Sequence, residues 1–193
     1  MTSIQLVFPD MIQPRSCWIT VRSRQSYRAA HHSVELSPEL TCRLRQLSRA
    51  EGTTLFMMLL AGFLTLLYRY TGQTDLLLGS PVANRQRREL EPLIGFFVNT
   101  LALRSDLSGD PPFREVVARV REMCQGAYAH EETPFERLIE ELRPERDLSR
   151  QPLVQVMFGL RSFPKPVEGA EGIMSPAVFH VGTGRAPSTC RLC

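Results

Sequence analysis

Seventeen consecutive residues without a charge, GTTLFMMLLAGFLTLLY from Gly52 to Tyr68, sit between Glu51 and Arg69. A helix that apolar has to be hidden, in lipid or beneath other protein. Crossing a bilayer takes about 20 apolar residues. This run falls short and is broken by three threonines and two glycines. It reads as a buried core helix, opened by Thr53 or Thr54, running to about Tyr70 and stopped at Gly72. The rest of the chain must then supply the layers that cover it. The rival reading of the same run is a membrane anchor over Thr53–Tyr68. Met1–Asp10 lacks the basic start and apolar core of a signal sequence.

A chain of 193 residues supplies one ordinary domain or one large lobe of a bigger one. With 43% hydrophobic and 22% charged residues it is globular. A net charge of +3, with arginines alternating with glutamates along helical stretches, excludes a nucleic-acid surface. Cys42 and Cys124 fall in helical patterns and read as small apolar residues. Cys190 and Cys193 form a C-x-x-C with no second pair at finger spacing, so no metal site is expected. Five cysteines without a signal peptide fit a reducing, cytoplasmic setting.

Residues 1–30 carry little periodicity beyond a short strand near Cys17–Val21. From Ser37 the pattern sharpens. Ser37 caps a helix with Pro38 at its first position, and Leu40, Leu44 and Leu47 follow at helical spacing to Gly52. DLLLGSPVA (Asp75–Ala83) is a buried strand and NRQRRELEP a polar connector. GFFVNTLALRSDL (Gly95–Leu107) is a second strand with Phe97, Asn99, Leu101 and Leu103 on one face. Asp110 and Pro111 open a helix whose apolar positions are Phe113, Val116, Val117, Val120, Met123, Cys124, Ala127 and Tyr128. Thr133-Pro134-Phe135-Glu136 reads as a capping box before Phe135, Leu138, Ile139 and Leu142. PLVQVMFGL (Pro152–Leu160) is a third strand, and beyond Arg161 the chain turns Pro/Gly-rich. The order helix-helix-strand-strand-helix-helix-strand predicts an α/β unit with helices covering a sheet on one side.

Three separated segments occur in a telling order: IGFFVNTLALR (Ile94–Arg104), HEETPFE (His130–Glu136) and RDLSRQPL (Arg146–Leu153). Together with TLFMMLLAGFLTLLYRYTGQTDLLLGSPVANR they resemble the later signature motifs of the condensation domain of non-ribosomal peptide synthetases. Glu131-Glu132 and Gln151 depart mildly from that family's usual residues. The resemblance covers residues 33–162 and implies the C-terminal lobe of a two-lobe, chloramphenicol acetyltransferase-like domain. Residues 1–32 and 163–193 stay unassigned, as tails of a fragmentary or frame-shifted gene or as genuine ends of a separate protein. The resemblance implies amide bond formation between carrier-bound thioesters, with phosphopantetheine arms of peptidyl carrier proteins delivering substrates and adenylation domains nearby. It offers Asn99, Arg104, His130, Arg146, Asp147 and Arg150 as tunnel-side or structural motif residues. Arg85, Arg104, Arg146 and Arg150 are expected to pair with carboxylates, Asp147 among them, and so set loop geometry.

The family's catalytic motif is HHxxxDG, whose second histidine positions or deprotonates the attacking amine. HHSVELS, at residues 31–37, matches it only in the two histidines. Leu36 stands at the Asp and Ser37 at the Gly, and only 67 residues separate His32 from Asn99 where the family has a whole lobe. His31 and His32 are therefore rejected as catalytic and read as solvated residues ahead of a helix. His130, at a helix C-terminus, is favoured there by the macrodipole without a catalytic role. The chain is expected to be inactive alone. It would act as a carrier-docking module without turnover, or as part of an enzyme completed by its N-terminal lobe in cis or in trans.

Overall fold

The structure, a computed structural model, describes residues 3–9, 29–90, 92–144 and 152–160. The apolar run forms α2 (Leu55–Thr71), packed after α1 (Pro38–Ala50). Thr54 opens α2 by accepting the Met57 N–H at 3.2 Å, and Gly72, at φ 71°, closes it in the left-handed region. Leu60, Ala61 and Leu64 on its inner face are completely buried, with Met57, Met58, Phe63 and Leu67 around them. At 17 residues α2 reaches about 25 Å, short of the ~30 Å hydrocarbon core of a bilayer. No single helix among the described residues is long and apolar enough to cross a membrane.

The layer beneath is a three-stranded sheet of order β4-β3-β5. β3 (Asp75–Val82) pairs antiparallel with β4 (Asn99–Asp106), from Asp75 opposite Asp106 to Val82 opposite Asn99. β5 (Val156–Met157) runs parallel to β3. The second helical element of the core is α3 (Phe113–Tyr128), whose Val116, Val117, Val120 and Cys124 are buried. These four, the inner face of α2, Leu76 and Leu78 of β3 and Leu101 and Leu103 of β4 make one hydrophobic core, with Phe158 joining it just after β5. A short α4 (Phe135–Leu142) lies against β4 without burying any residue fully. The expected order of two helices, two strands, two helices and a strand therefore stands between residues 38 and 157.

Helix termini follow local chemistry closely at α1. Ser37 Oγ accepts the Leu40 N–H at 3.2 Å. At the far end Gly52, at φ 60°, donates to Arg49 O while Thr53 donates to Ser48 O, the paired bonds of a Schellman ending. The other caps differ from expectation. Asp110 takes a left-handed φ of 47° instead of capping α3, and Pro112 holds the cap position with no side-chain bond. Thr133 does not cap α4 either; Pro134 stands at its N-cap, again with no side-chain bond from the cap residue.

Other differences are equally local. β4 begins at Asn99 rather than Gly95, and Phe97 lies outside it. The third strand shrinks to Val156–Met157, and Leu153, expected inside it, adopts a φ of 66° that an extended ladder cannot accommodate. In α1 only Leu44 packs against the core, while Leu40 and Leu47 stay exposed. Of the two helical cysteines, Cys42 is exposed and Cys124 buried. Near the start of the chain, β1 (Ser3–Pro9) and β2 (Ala29–Glu35) pair antiparallel, so His31 and His32, a few residues ahead of α1, lie in a strand opposite Val7 and Leu6. The ladder bonds of β1 give that backbone its partners. The expected strand near Cys17–Val21 lies outside the described residues.

Candidate functional site

The two described motif segments meet at Asn99. This residue opens β4 and is 9% exposed. Its Nδ2 donates to Glu131 O and Thr133 O, each at 2.8 Å. Its Oδ1 accepts the Thr100 N–H at 2.9 Å and the Phe135 N–H at 3.2 Å. The amide therefore satisfies a free N–H at the start of α4, the service the Thr133 hydroxyl does not perform. All four of its hydrogen-bonding positions are occupied. The turn from Ala129 to Thr133 is in this way fixed to the first residue of the strand.

A second link reaches the same turn from the long β3–β4 connection. Gln86 donates its side-chain amide to the Glu131 carboxylate. Glu131, one of the two departures from the family's second motif, thus faces a donor that its acceptor-only side chain suits. Beside Gln86, Arg85 donates to Leu90 O, to Leu93 O at 2.8 Å and to Gly95 O at 3.4 Å. Its guanidinium also lies 4.4 Å from the centroid of the Phe97 ring. The partner strand β3 ends at Val82, opposite Asn99, and the chain turns away at Asn84 with φ 49°, so residues 94–98 have no strand against which to extend the β4 ladder.

Arg104 sits further along β4 and grips Asp75 of β3 through both its Nε and its terminal nitrogen, at 2.9 and 2.8 Å. The bidentate bond from Arg104 holds the Asp75 carboxyl below its ordinary value of 3.8. Both side chains are more than half exposed, so the pair ties two strands at the surface. His130 lies exposed in the turn after α3, its backbone N–H donating to Ala127 O and its carbonyl accepting from Thr133. Arg146, Asp147 and Arg150 lie outside the described residues. Of the third motif, Pro152 and Leu153 are described, and Val154 beyond them is buried against β3.

β5 approaches β3 closely at Gly79. A Cβ there would collide with Met157 Sδ and stand 2.9 Å from Val154 Cγ1, while Phe158 N donates to Gly79 O at 2.8 Å. Only glycine permits that contact. No group of three His, Cys, Asp or Glu among the described residues is placed to hold a metal ion. The arrangement is a hydrogen-bonded frame: Asn99, Arg104 and Gln86 tie backbone segments together, and Arg85 shapes a loop. Asn99 and Arg104 stand out from the motifs in the sequence. Arg85 reads there as one loop-setting arginine among several, while Gln86 and Gly79 draw no notice. The only sequence signals for those two are a polar residue in a connector and a glycine inside an apolar strand.

A three-stranded sheet covered by helices on one side, with motif residues gathered at the start of one strand, defines an α/β unit. Comparison with known proteins makes this specific. The condensation-domain family model matches residues 18–182, and the chain belongs to that family. One of the linear gramicidin synthase subunits of Brevibacillus parabrevis is 58% identical over 149 residues, which are 77% of this chain and 3% of that protein. A holo four-domain nonribosomal peptide synthetase bound to AMP and glycine superposes with a TM-score of 0.70 at 29% identity, over 74% of this chain and 11% of that one. The X-domain from teicoplanin biosynthesis gives 0.67 at 35% identity, over 72% and 31%. The chain therefore spans a small part of a synthetase and about a third of the X-domain chain.

Proposed function

We propose that residues 33–162 form the C-terminal lobe of a condensation domain serving peptide bond formation on a non-ribosomal peptide synthetase. The amine of an acceptor aminoacyl thioester attacks the donor thioester carbonyl. The C–N bond forms, the C–S bond breaks, and the amine proton leaves as the donor thiol is released. Both substrates ride on phosphopantetheine arms of peptidyl carrier proteins, loaded by adenylation domains, in the cytoplasm. In this reading the stretch supplies one wall of the substrate path. Asn99, Arg104, His130, Arg146, Asp147 and Arg150 are its tunnel-side or structural motif residues, and the catalytic histidine belongs to the N-terminal lobe, in cis or in trans.

One observation carries the proposal. Three late condensation motifs stand in order inside the family match, while the only adjacent histidines in the 193 residues are in HHSVELS, not HHxxxDG. A base or positioning imidazole must come from elsewhere. The test has two arms. The 193-residue chain is incubated with aminoacyl donor and acceptor carriers, and dipeptidyl carrier is sought by intact mass; none is expected. Residues 33–162 then replace the matched stretch in a condensation domain of the linear gramicidin synthase relative, and that chimera is expected to form dipeptide. A folded chimera that binds both carriers without turnover would sink the reading and leave a carrier-docking module. Turnover by the chain alone would contradict the assignment of the histidine.

A further inference from the structure

The connection between β3 and β4 holds a concentration of exposed apolar side chains. Ile94 is 104% exposed and Phe96 91%, with Leu93 and Val98 about half exposed. A long loop of this composition, left to itself, folds its apolar groups inward. Here it is braced from within. Arg85 binds the carbonyls of Leu90, Leu93 and Gly95, three points along the loop, and its guanidinium covers the Phe97 ring. A Cβ on Gly95 would stand 2.9 Å from Phe97 Cε2, so a larger residue there has to push the ring that Arg85 covers. The loop enters through Asn84 at φ 49°, a left-handed turn that asparagine tolerates. It is moored at both ends to the second motif, by Gln86 on Glu131 and by Asn99 on the carbonyls of Glu131 and Thr133.

We propose that Arg85, which lies outside the three motifs, is a positioning residue: it fixes the course of residues 93–97 and so the place at which Ile94 and Phe96 are displayed. Its bracing role stands on the geometry alone. The consequence for the reaction rests on the reading above, because a displayed loop matters to turnover only where substrate passes. Lysine cannot reproduce the role in full, since a single ammonium lacks the planar fork that reaches several carbonyls while stacking on a ring.

Limited proteolysis of the full 193-residue chain tests the brace. In Arg85→Ala chymotryptic cleavage at Phe96 and Phe97 is expected to be at least about tenfold faster, with α2 uncut, and Arg85→Lys should fall between. Phe97→Leu keeps the carbonyl bonds and should speed cleavage at Phe96 less, which covers the case in which Arg85→Ala fails to fold. In the chimera, Arg85→Ala should lower kcat with little change in KM for the loaded carriers, and Arg85→Lys should restore part of it. Unchanged cleavage at Phe96 and Phe97 in the arginine variants overturns the brace. Faster cleavage with kcat intact overturns the positioning role. An inactive parent chimera counts against the functional reading only, and the cleavage result then decides for or against the brace.

Discussion

Replacing Asn99 separates its hydrogen bonds from its shape. The side chain makes four bonds, two as donor to Glu131 O and Thr133 O and two as acceptor from the Thr100 and Phe135 N–H groups. A net contribution of about 1 kcal/mol per bond gives an upper figure of roughly 4 kcal/mol. The turn lies at the surface, and Glu132, Thr133 and Pro134 are exposed. Water can therefore replace some partners in Asn99→Ala, and about 2–3 kcal/mol is expected. At about 3 °C per kcal/mol for a domain of this size, Tm should fall by roughly 6–9 °C. Asn99→Asp is the sharper variant. It keeps the volume and both acceptor bonds but sets a charged acceptor against two carbonyl oxygens. It should lose at least as much as Asn99→Ala above the carboxylate's pKa. Urea titrations give both values, and hydrogen exchange at residues 131–135 shows whether the loss is local. An Asn99→Asp protein as stable as the parent at neutral pH would refute the argument, since shape alone would then account for the residue.

Further outcomes follow from the same geometry. Gly79→Ala should cost about 1–3 kcal/mol, because the new methyl must displace Met157 and Val154 from β3; thermal denaturation measures it. Asp75 is held below its ordinary 3.8 by Arg104, so its share of stability is present above the unfolded value and is lost as pH falls through the folded one. Asp75→Asn should then change Tm little near neutrality, the pair being exposed, and should flatten the decline between about pH 5 and about pH 3. Burial pushes the Cys124 thiol up to about 11, whereas Cys42 is exposed. Alkylation at about pH 8 followed by peptide mapping should modify Cys42 and reach Cys124 only after denaturation.

Elements whose signals are local were legible in the sequence. The Ser37-Pro38 start of α1, the Thr54 and Gly72 ends of α2 and the buried stripe of α3 all follow from caps and from 3.6-residue spacing. What escaped depended on partners far along the chain. Pro112 and Pro134, not the nearby Asp110 and Thr133, occupy the cap positions of α3 and α4. The amide that serves α4 comes from Asn99, 36 residues away from Phe135. The start of β4 falls at Asn99 because its partner β3 stops at Val82 and the chain turns away at Asn84, at φ 49°. The strand at Ser3–Pro9 was missed because its ladder partner, Ala29–Glu35, lies some 20 residues on and carries little alternation of its own.

The motif residues and the frame turn out to be parts of one device. IGFFVNTLALR supplies Asn99 and Arg104, HEETPFE supplies the two carbonyls and the N–H that Asn99 binds, and the two sequences are thereby one structural object. Their roles in the described geometry are exchanges of hydrogen bonds between backbone segments, not nucleophile–base contacts. A lobe organised this way has its stability and its shape coupled: the bonds that hold the turn at 129–134 also set where the 84–98 loop begins and ends. Substitutions at Asn99 and at Arg85 should for that reason not be independent. Each removes a different mooring of the same loop, so the double variant should speed chymotryptic cleavage at Phe96 and Phe97 by more than the product of the two single effects. A distant, unconnected site such as Asp75, at the far end of the β3–β4 pair, should instead add to either one within about 0.5 kcal/mol. Strict additivity between Asn99 and Arg85 would mean that the turn and the loop are two separate structures that merely touch.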